Sequence, residues 1–245
     1  MSLALVRTRA QFGLDAPPVT VEVHLSAGLP GLAIVGLPEA AVRESKDRVR
    51  SALINSGFEF PQRRITISLA PADLPKEGGR YDLPIALGIL AASGQIPADR
   101  LEQHEFAGEL SLSGELRPIR GALAMVLAAD AGERSFVLPA DSAREAALAQ
   151  PDAILAAGSL LAVCAHLRGE DPLPAAAPAA RDALLDVLLV ALSGVITGNR
   201  TLDGLAEWME ARSPEFQDEP IEGAASIRAA TVQVMVRFFT SDPLN

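Results

Sequence analysis

The residues best placed to do chemistry lie between Leu74 and Gly88, in the run LPKEGGRYDLPIALG. Gly78 and Gly79 permit backbone angles that other residues avoid. They precede an apolar helix, whose first N–H groups are free to face an anion. Lys76 and Arg80 flank the glycines, and Asp82 follows them. Two readings fit this stretch. One is a small anion or phosphate site, or a polar surface offered to a partner, built from Lys76, Gly78, Gly79, Arg80 and Asp82. The other is a tight turn in which Lys76, Glu77, Arg80 and Asp82 pair with one another. No GxxxxGK run followed by Ser or Thr occurs, since neither Lys46 nor Lys76 follows a glycine. The sequence therefore predicts no nucleotide hydrolysis by this chain.

A second set of residues is basic. Arg43, Lys46 and Arg50 recur at spacings that place them on one helix face, and Arg63 and Arg64 follow the next turn. Such a stripe suits contact with nucleic acid or a neighbouring subunit. The interleaved Glu44 and Asp47 suit an ordinary solvated face. His24, His104 and His166 are scattered with no HExxH run, so no metal site is expected. Cys164, the one cysteine, lies among apolar residues and reads as a core thiol; it excludes an internal disulfide framework. Glu109 and Glu115 read as exposed charges, and Trp208 as packing.

The elements that must position these groups alternate between two periods. Val19, Val21, Val23 and Leu25 mark a strand, and Leu32 to Val35 a short apolar one. Pro38 opens a helix running to about Asn55, with Gly57 as its stop. Ile65, Ile67 and Leu69 mark a strand. Leu83 to Ala92 is an apolar helix with Asp82 as its N-cap. A strand over 106–112, a helix over 121–131 and a strand over 135–138 follow. Residues 142–148, 153–156 and 160–167 read as helix, strand and helix. The pattern is a mixed α/β (α+β) domain with a hairpin-like start.

Composition supports a packed domain with an appendage. Of 245 residues, 49% are hydrophobic and 21% charged, which excludes full-length disorder. With 31 acidic and 21 basic residues the net charge is −10, unlike a protein whose whole surface grips nucleic acid. Aromatics at 4% are too few for a base-stacking platform. No targeting segment is visible, and the apolar run Val187 to Ile196 is shorter than the roughly 20 residues that span a bilayer. A cytoplasmic protein with no membrane partner is expected. The chain divides into a domain over 1–170, a Pro/Ala linker over 171–181, a helical segment over 182–212 and an unassigned tail over 213–245. Residues 1–170 hold 16 basic and 20 acidic residues; residues 171–245 hold 5 and 11.

Longer motifs carry a family resemblance. VGLPEAAVRES, APADLPKEGGRYDLPIALG and FAGELSLSGELRPIRGALAMVLAA closely resemble the N-terminal domain of the YifB/ComM family. These are Mg-chelatase-subunit-I-like AAA+ proteins, often labelled ATP-dependent proteases. The resemblance fades near Gly169. It implies a domain similar to the proteolytic domain of Lon, in the ribosomal-protein-S-five domain-two-like superfamily. It also implies a hexameric, DNA-associated motor that uses ATP and Mg, with branch migration during natural transformation as its role. In that architecture an ATPase domain follows, so a truncated, non-catalytic module without cofactors is expected here.

The resemblance to Lon also implies where a protease site would fall. A Lon-type site needs a Ser nucleophile and a Lys base. The Ser position of Lon falls on Arg80, and the Lys positions fall on Leu123 and Met125, so neither member of the dyad is present. A residual Lon-like hydrolase and a DNA-binding module stand as alternatives. Ala183 to Met209 is similar to the N-terminal associated domain of ISAs-type (H-repeat) transposases. That similarity implies a family domain fused, without function, to a transposase fragment.

Overall fold

The computed structural model describes residues 2–12, 15–129 and 134–178. The segment expected to be helical at 182–212, Trp208 included, lies outside the described residues. The fold opens with a hairpin. β1 (Leu3–Arg9) runs antiparallel to β2 (Pro18–Ser26), from Leu3 opposite His24 to Arg9 opposite Pro18. β3 (Gly31–Val35) and β4 (Arg64–Ala70) are parallel and joined through α1 (Ala40–Asn55), as a parallel pair requires. A short 3-10 turn at Gly79–Tyr81 leads into α2 (Asp82–Ala92). β5 (His104–Phe106) and the small hairpin β6 (Glu109–Leu110) and β7 (Leu116–Arg117) follow. The remainder is α3 (Ala122–Leu127), β8 (Ser135–Pro139), α4 (Ala140–Ala146), β9 (Ile154–Ala157) and α5 (Leu160–Arg168).

The result is a mixed α/β fold on a seven-stranded, mostly parallel sheet of order β3-β4-β2-β1-β5-β8-β9. The antiparallel pairs are confined to β1–β2 and β2–β4. Between its two halves, β1 and β5 share a single ladder pair, Arg7 opposite Glu105. A buried ion pair reinforces that junction. Arg9 Nε donates to Glu105 Oε2 at 2.7 Å and Arg9 Nη2 to Oε1 at 3.1 Å. Arg9 Nη1 also reaches the carbonyls of Ala16 and Ala128. The core divides similarly. One cluster joins β1, β2 and β4 to α1, α2 and α5, and the other joins β8 to α3 and α4.

Several elements differ from the sequence expectation. β1 has no clear period, because exposed Leu3 and Leu5 alternate with buried Ala4 and Val6, leaving both faces apolar. The helix expected from Pro38 begins at Ala40, since Pro38 instead bridges to Lys76. The strand expected over 106–112 is split between β5 and β6, which belong to different sheets. Asp82 is not an N-cap: it already has helical angles, and its carboxylate points elsewhere. The start of the proline-rich stretch pairs with the sheet rather than leaving it. Ala156 N donates to Pro174 O and Ala176 N to Ile154 O, each at 2.9 Å. A proline can join an edge through its carbonyl even though it lacks an N–H.

α2 sets the tightest packing constraint, since every one of its residues is buried. A Cβ added at Gly88 would collide with Cγ2 of Val23 on β2. Gly88→Ala should therefore push α2 off the sheet and cost about 1–3 kcal/mol. A lowered urea midpoint with an unchanged slope is the expected reading.

Candidate functional site

The Leu74–Gly88 loop is held by its charges, and each charge goes to a different partner. Lys76 is fully buried, and its Nζ donates to the carbonyl of Pro71. Burial pulls its pKa below the ordinary lysine value, against the opposing carboxylate of Asp73. Its backbone accepts from Glu39 N and donates to Leu37 O, which pins the β3–α1 connection. Glu77 is exposed. Arg80 is 4% exposed and donates from Nη2 to Gln11 Oε1 at 2.5 Å and to Arg120 O at 2.7 Å. Its Nη1 is buried without a partner among the described residues, and desolvation lowers the pKa of Arg80.

Asp82 is fully buried and faces Arg48 of α1. Arg48 Nε donates to Oδ2 at 2.7 Å and Nη2 to Oδ1 at 3.1 Å. Leu110 N, on β6, donates to Oδ2 at 3.2 Å. The hydrogen bonds and charge of Asp82 hold the Arg48 guanidinium above its ordinary pKa. Arg48 escaped the sequence reading because it lies off the Arg43–Lys46–Arg50 face and is 34 residues from its partner.

The loop charges therefore do not pair with one another, as the tight-turn reading required. They also do not converge on one open cradle. Lys76 Nζ and Arg80 Nη2 donate to protein oxygens, Arg80 Nη1 has no partner among the described residues, and the carboxylate of Glu109 lies against Gly79, where an added Cβ would strike it. Glu109 itself faces Arg117 at 3.6 Å instead of standing free in solvent. Gly78, at φ 74°, needs the left-handed conformation that glycine supplies. The contact between Arg80 and Arg120 O places Arg80 beside the start of α3, where Leu123 and Met125 are both buried.

The basic residues are laid out around β3. Arg43, Arg50, Arg63 and Arg64 are exposed and Lys46 is half-buried. The Arg50 guanidinium lies 5.0 Å from the centre of the Phe60 ring. Lys46, Arg50 and Phe60 line a cleft of about 240 Å³ beside Gly31 and Leu32. Arg64 lines a second cleft of about 410 Å³ with Leu29 and Ala33. Arg43 lines neither.

Comparison with known proteins places this architecture. The family described as subunit ChlI of Mg-chelatase matches residues 21–142. The chain carries a domain of the ChlI family. That match runs from within β2 through β8 into α4, and takes in the Leu74–Gly88 loop and the basic residues. The chain is 51% identical to the protein YifB of Escherichia coli K12, over 84% of this chain and 40% of that protein. It is 48% identical to the competence protein ComM of Haemophilus influenzae, over 83% of this chain and 38% of that one. A Mycobacterium tuberculosis relative, Rv2897c, is 46% identical over 60% of this chain and 30% of its own. The chain thus spans about two fifths of the length of YifB. With 205 residues matched, the likeness to YifB reaches past residue 200, further than the fading near Gly169 expected from the motifs.

The ChlI-like chain also contains a histidine pair that its sequence concealed, the partners being 62 residues apart. His104 of β5 and His166 of α5 approach with their Nε2 atoms 3.4 Å apart. Leu173 N donates to His166 Nδ1 at 3.1 Å. That bond places the proton of a neutral His166 on Nε2, pointing at His104, and leaves the His104 proton on Nδ1, which is buried without a partner among the described residues. Cys164 on the same helix is a core thiol, pushed up to about 12 by burial. Burial, His166 and Arg100 lower His104 from 6.5 to about 4. The unfolded chain thus takes up this proton first. Stability present above about pH 6.5 is lost as the pH falls toward 4. His104→Gln should flatten that fall by up to about 1.4 kcal/mol per pH unit, read from urea unfolding across the window.

Proposed function

We propose that this domain is a non-catalytic binding and assembly module, of the kind that serves an ATP-dependent, DNA-associated motor in ComM-like proteins. The observation that carries the reading is the state of the loop that would hold the chemistry. Arg80, at the position of a Lon-type nucleophile, is buried against Gln11 and Arg120, and the positions of the base are the buried apolar Leu123 and Met125. A nucleophile and a base within hydrogen-bond reach are what such catalysis needs, and these side chains offer neither. The family likeness supports the same reading: residues 21–142 match ChlI, and ComM is among the relatives.

The likeness to Lon, in the ribosomal-protein-S-five domain-two-like superfamily, then describes a scaffold kept without its dyad. Branch migration in natural transformation is the role this module serves, with ATP and Mg handled outside the residues described. Hexameric assembly and a cytoplasmic location belong to the same proposal. DNA contact by the module itself would fall to Arg43, Lys46, Arg50, Arg63 and Arg64.

Two assays on the purified chain test this. ATP and fluorogenic peptides should show no turnover above the blank; turnover abolished by Arg80→Ala or Lys76→Ala would instead establish a hydrolase. Duplex DNA anisotropy at low salt reads the basic stripe. A shift lost on charge reversal at Arg43 and Arg50 assigns DNA contact to the module, and no shift leaves DNA to the motor.

A further inference from the structure

The two edges of the sheet are treated differently. At β9, the chain's own residues Pro174 and Ala176 take up the edge hydrogen bonds. At β3 no described residue does so, and the sheet order ends there. Gly31 N donates to Arg63 O, which directs the alternate backbone groups of Gly31, Ala33 and Val35 toward β4. The N–H and C=O groups of Leu32 and Ile34 therefore face outward.

Unpaired edges are normally blunted by charge, proline or a bulge within the strand. Nothing of the kind occurs here, and the sequence holds no charged residue from Leu25 to Pro38. Leu29, Val35 and Leu37 are instead 89%, 49% and 56% exposed along this edge. The strand is also rigidly held. Leu32 and Ile34 pack their side chains against the core, and the Lys76 backbone ties the chain just beyond Val35.

A cleft lies on each face beside the strand. The one on the α1 side carries Lys46 and Arg50, with a single opposing carboxylate, Asp47. The other is lined by Leu29 and Ala33, with Arg64 at its side. An added strand sends alternate side chains to opposite faces. Acidic side chains would meet Lys46 and Arg50, and small apolar ones would meet Leu29 and Ala33.

We propose that the open edge of β3, between these two clefts, is a docking site for an extended acidic peptide segment of a partner protein, which adds to the sheet as an eighth strand through Leu32 and Ile34. Main-chain pairing supplies the attachment and the clefts supply the selection. Nucleic acid could answer the cations but has no backbone that matches alternating N–H and C=O groups, so the geometry favours a peptide. This inference does not depend on the absence of catalysis.

The probe is a short synthetic peptide alternating Glu and Val, titrated against the full chain by fluorescence anisotropy and hydrogen–deuterium exchange. Binding should slow exchange at Leu32 and Ile34. A twin with Lys in place of Glu should not bind, and a twin N-methylated at alternate residues should lose pairing without any change to the protein. The double variant Lys46→Glu, Arg50→Glu should bind roughly tenfold more weakly. Arg50 is exposed and Lys46 half-buried, and neither belongs to the core, so thermal unfolding should be unchanged. No binding, equal binding of the Lys twin, or protection that maps away from β3 would overturn the proposal. So would amides of Leu32 and Ile34 already slow in the free chain, or an oligonucleotide that displaces the peptide without protecting them.

Discussion

The pairing of Arg48 with Asp82 is the interaction on which the rest of this domain depends. A carboxylate with no solvent access costs several kcal/mol unless its charge and lone pairs are met. Here a guanidinium from α1 and a backbone N–H from β6 meet them, at the first turn of a helix buried on every side. Three elements are fixed relative to one another by one side chain. The pairing also sets the rotation of α1. With Arg48 turned inward, residues two positions away on either side lie on the far part of the helix surface, so Lys46 and Arg50 are carried to the cleft beside β3. The inner clamp and the outer surface are two faces of one constraint.

The loop that first suggested chemistry thus works inward. Lys76 ties the β3–α1 connection, Arg80 ties the N-terminal hairpin to the start of α3, and Asp82 ties α1 to α2. A ligand recruiting Lys76 Nζ or Arg80 Nη2 would have to break these bonds first. The outward features lie elsewhere, on an uncharged edge strand and the basic residues beside it. That division fits the proposed reading of this ChlI-like domain as a binding and assembly module.

Much of the scaffold was legible because its strands alternate. Val19 to Leu25 and Ile65 to Leu69 each bury one face, and the period shows it. β1 was hidden by apolar residues on both faces, and the edge pairing of Pro174 and Ala176 by prolines that resemble a linker. The loop stood out through its glycines and charges. Its meaning did not, because Gln11, Arg120 and Arg48 stand 69, 40 and 34 residues from the groups they meet. Local spacing cannot report such partners, and the His104–His166 contact was invisible for the same reason.

A double-mutant cycle on Arg48 and Asp82 tests the account most directly. Unfolding free energies would be measured for Arg48→Met, Asp82→Asn and the combined variant. If the loop charges are internal clamps, Arg48→Met should be severe, about 3–5 kcal/mol, because it strands a buried carboxylate. The combined variant should recover part of that loss, with a coupling above about 1 kcal/mol. Additive losses with no coupling would contradict the account and return Asp82 and its loop to the search for a ligand.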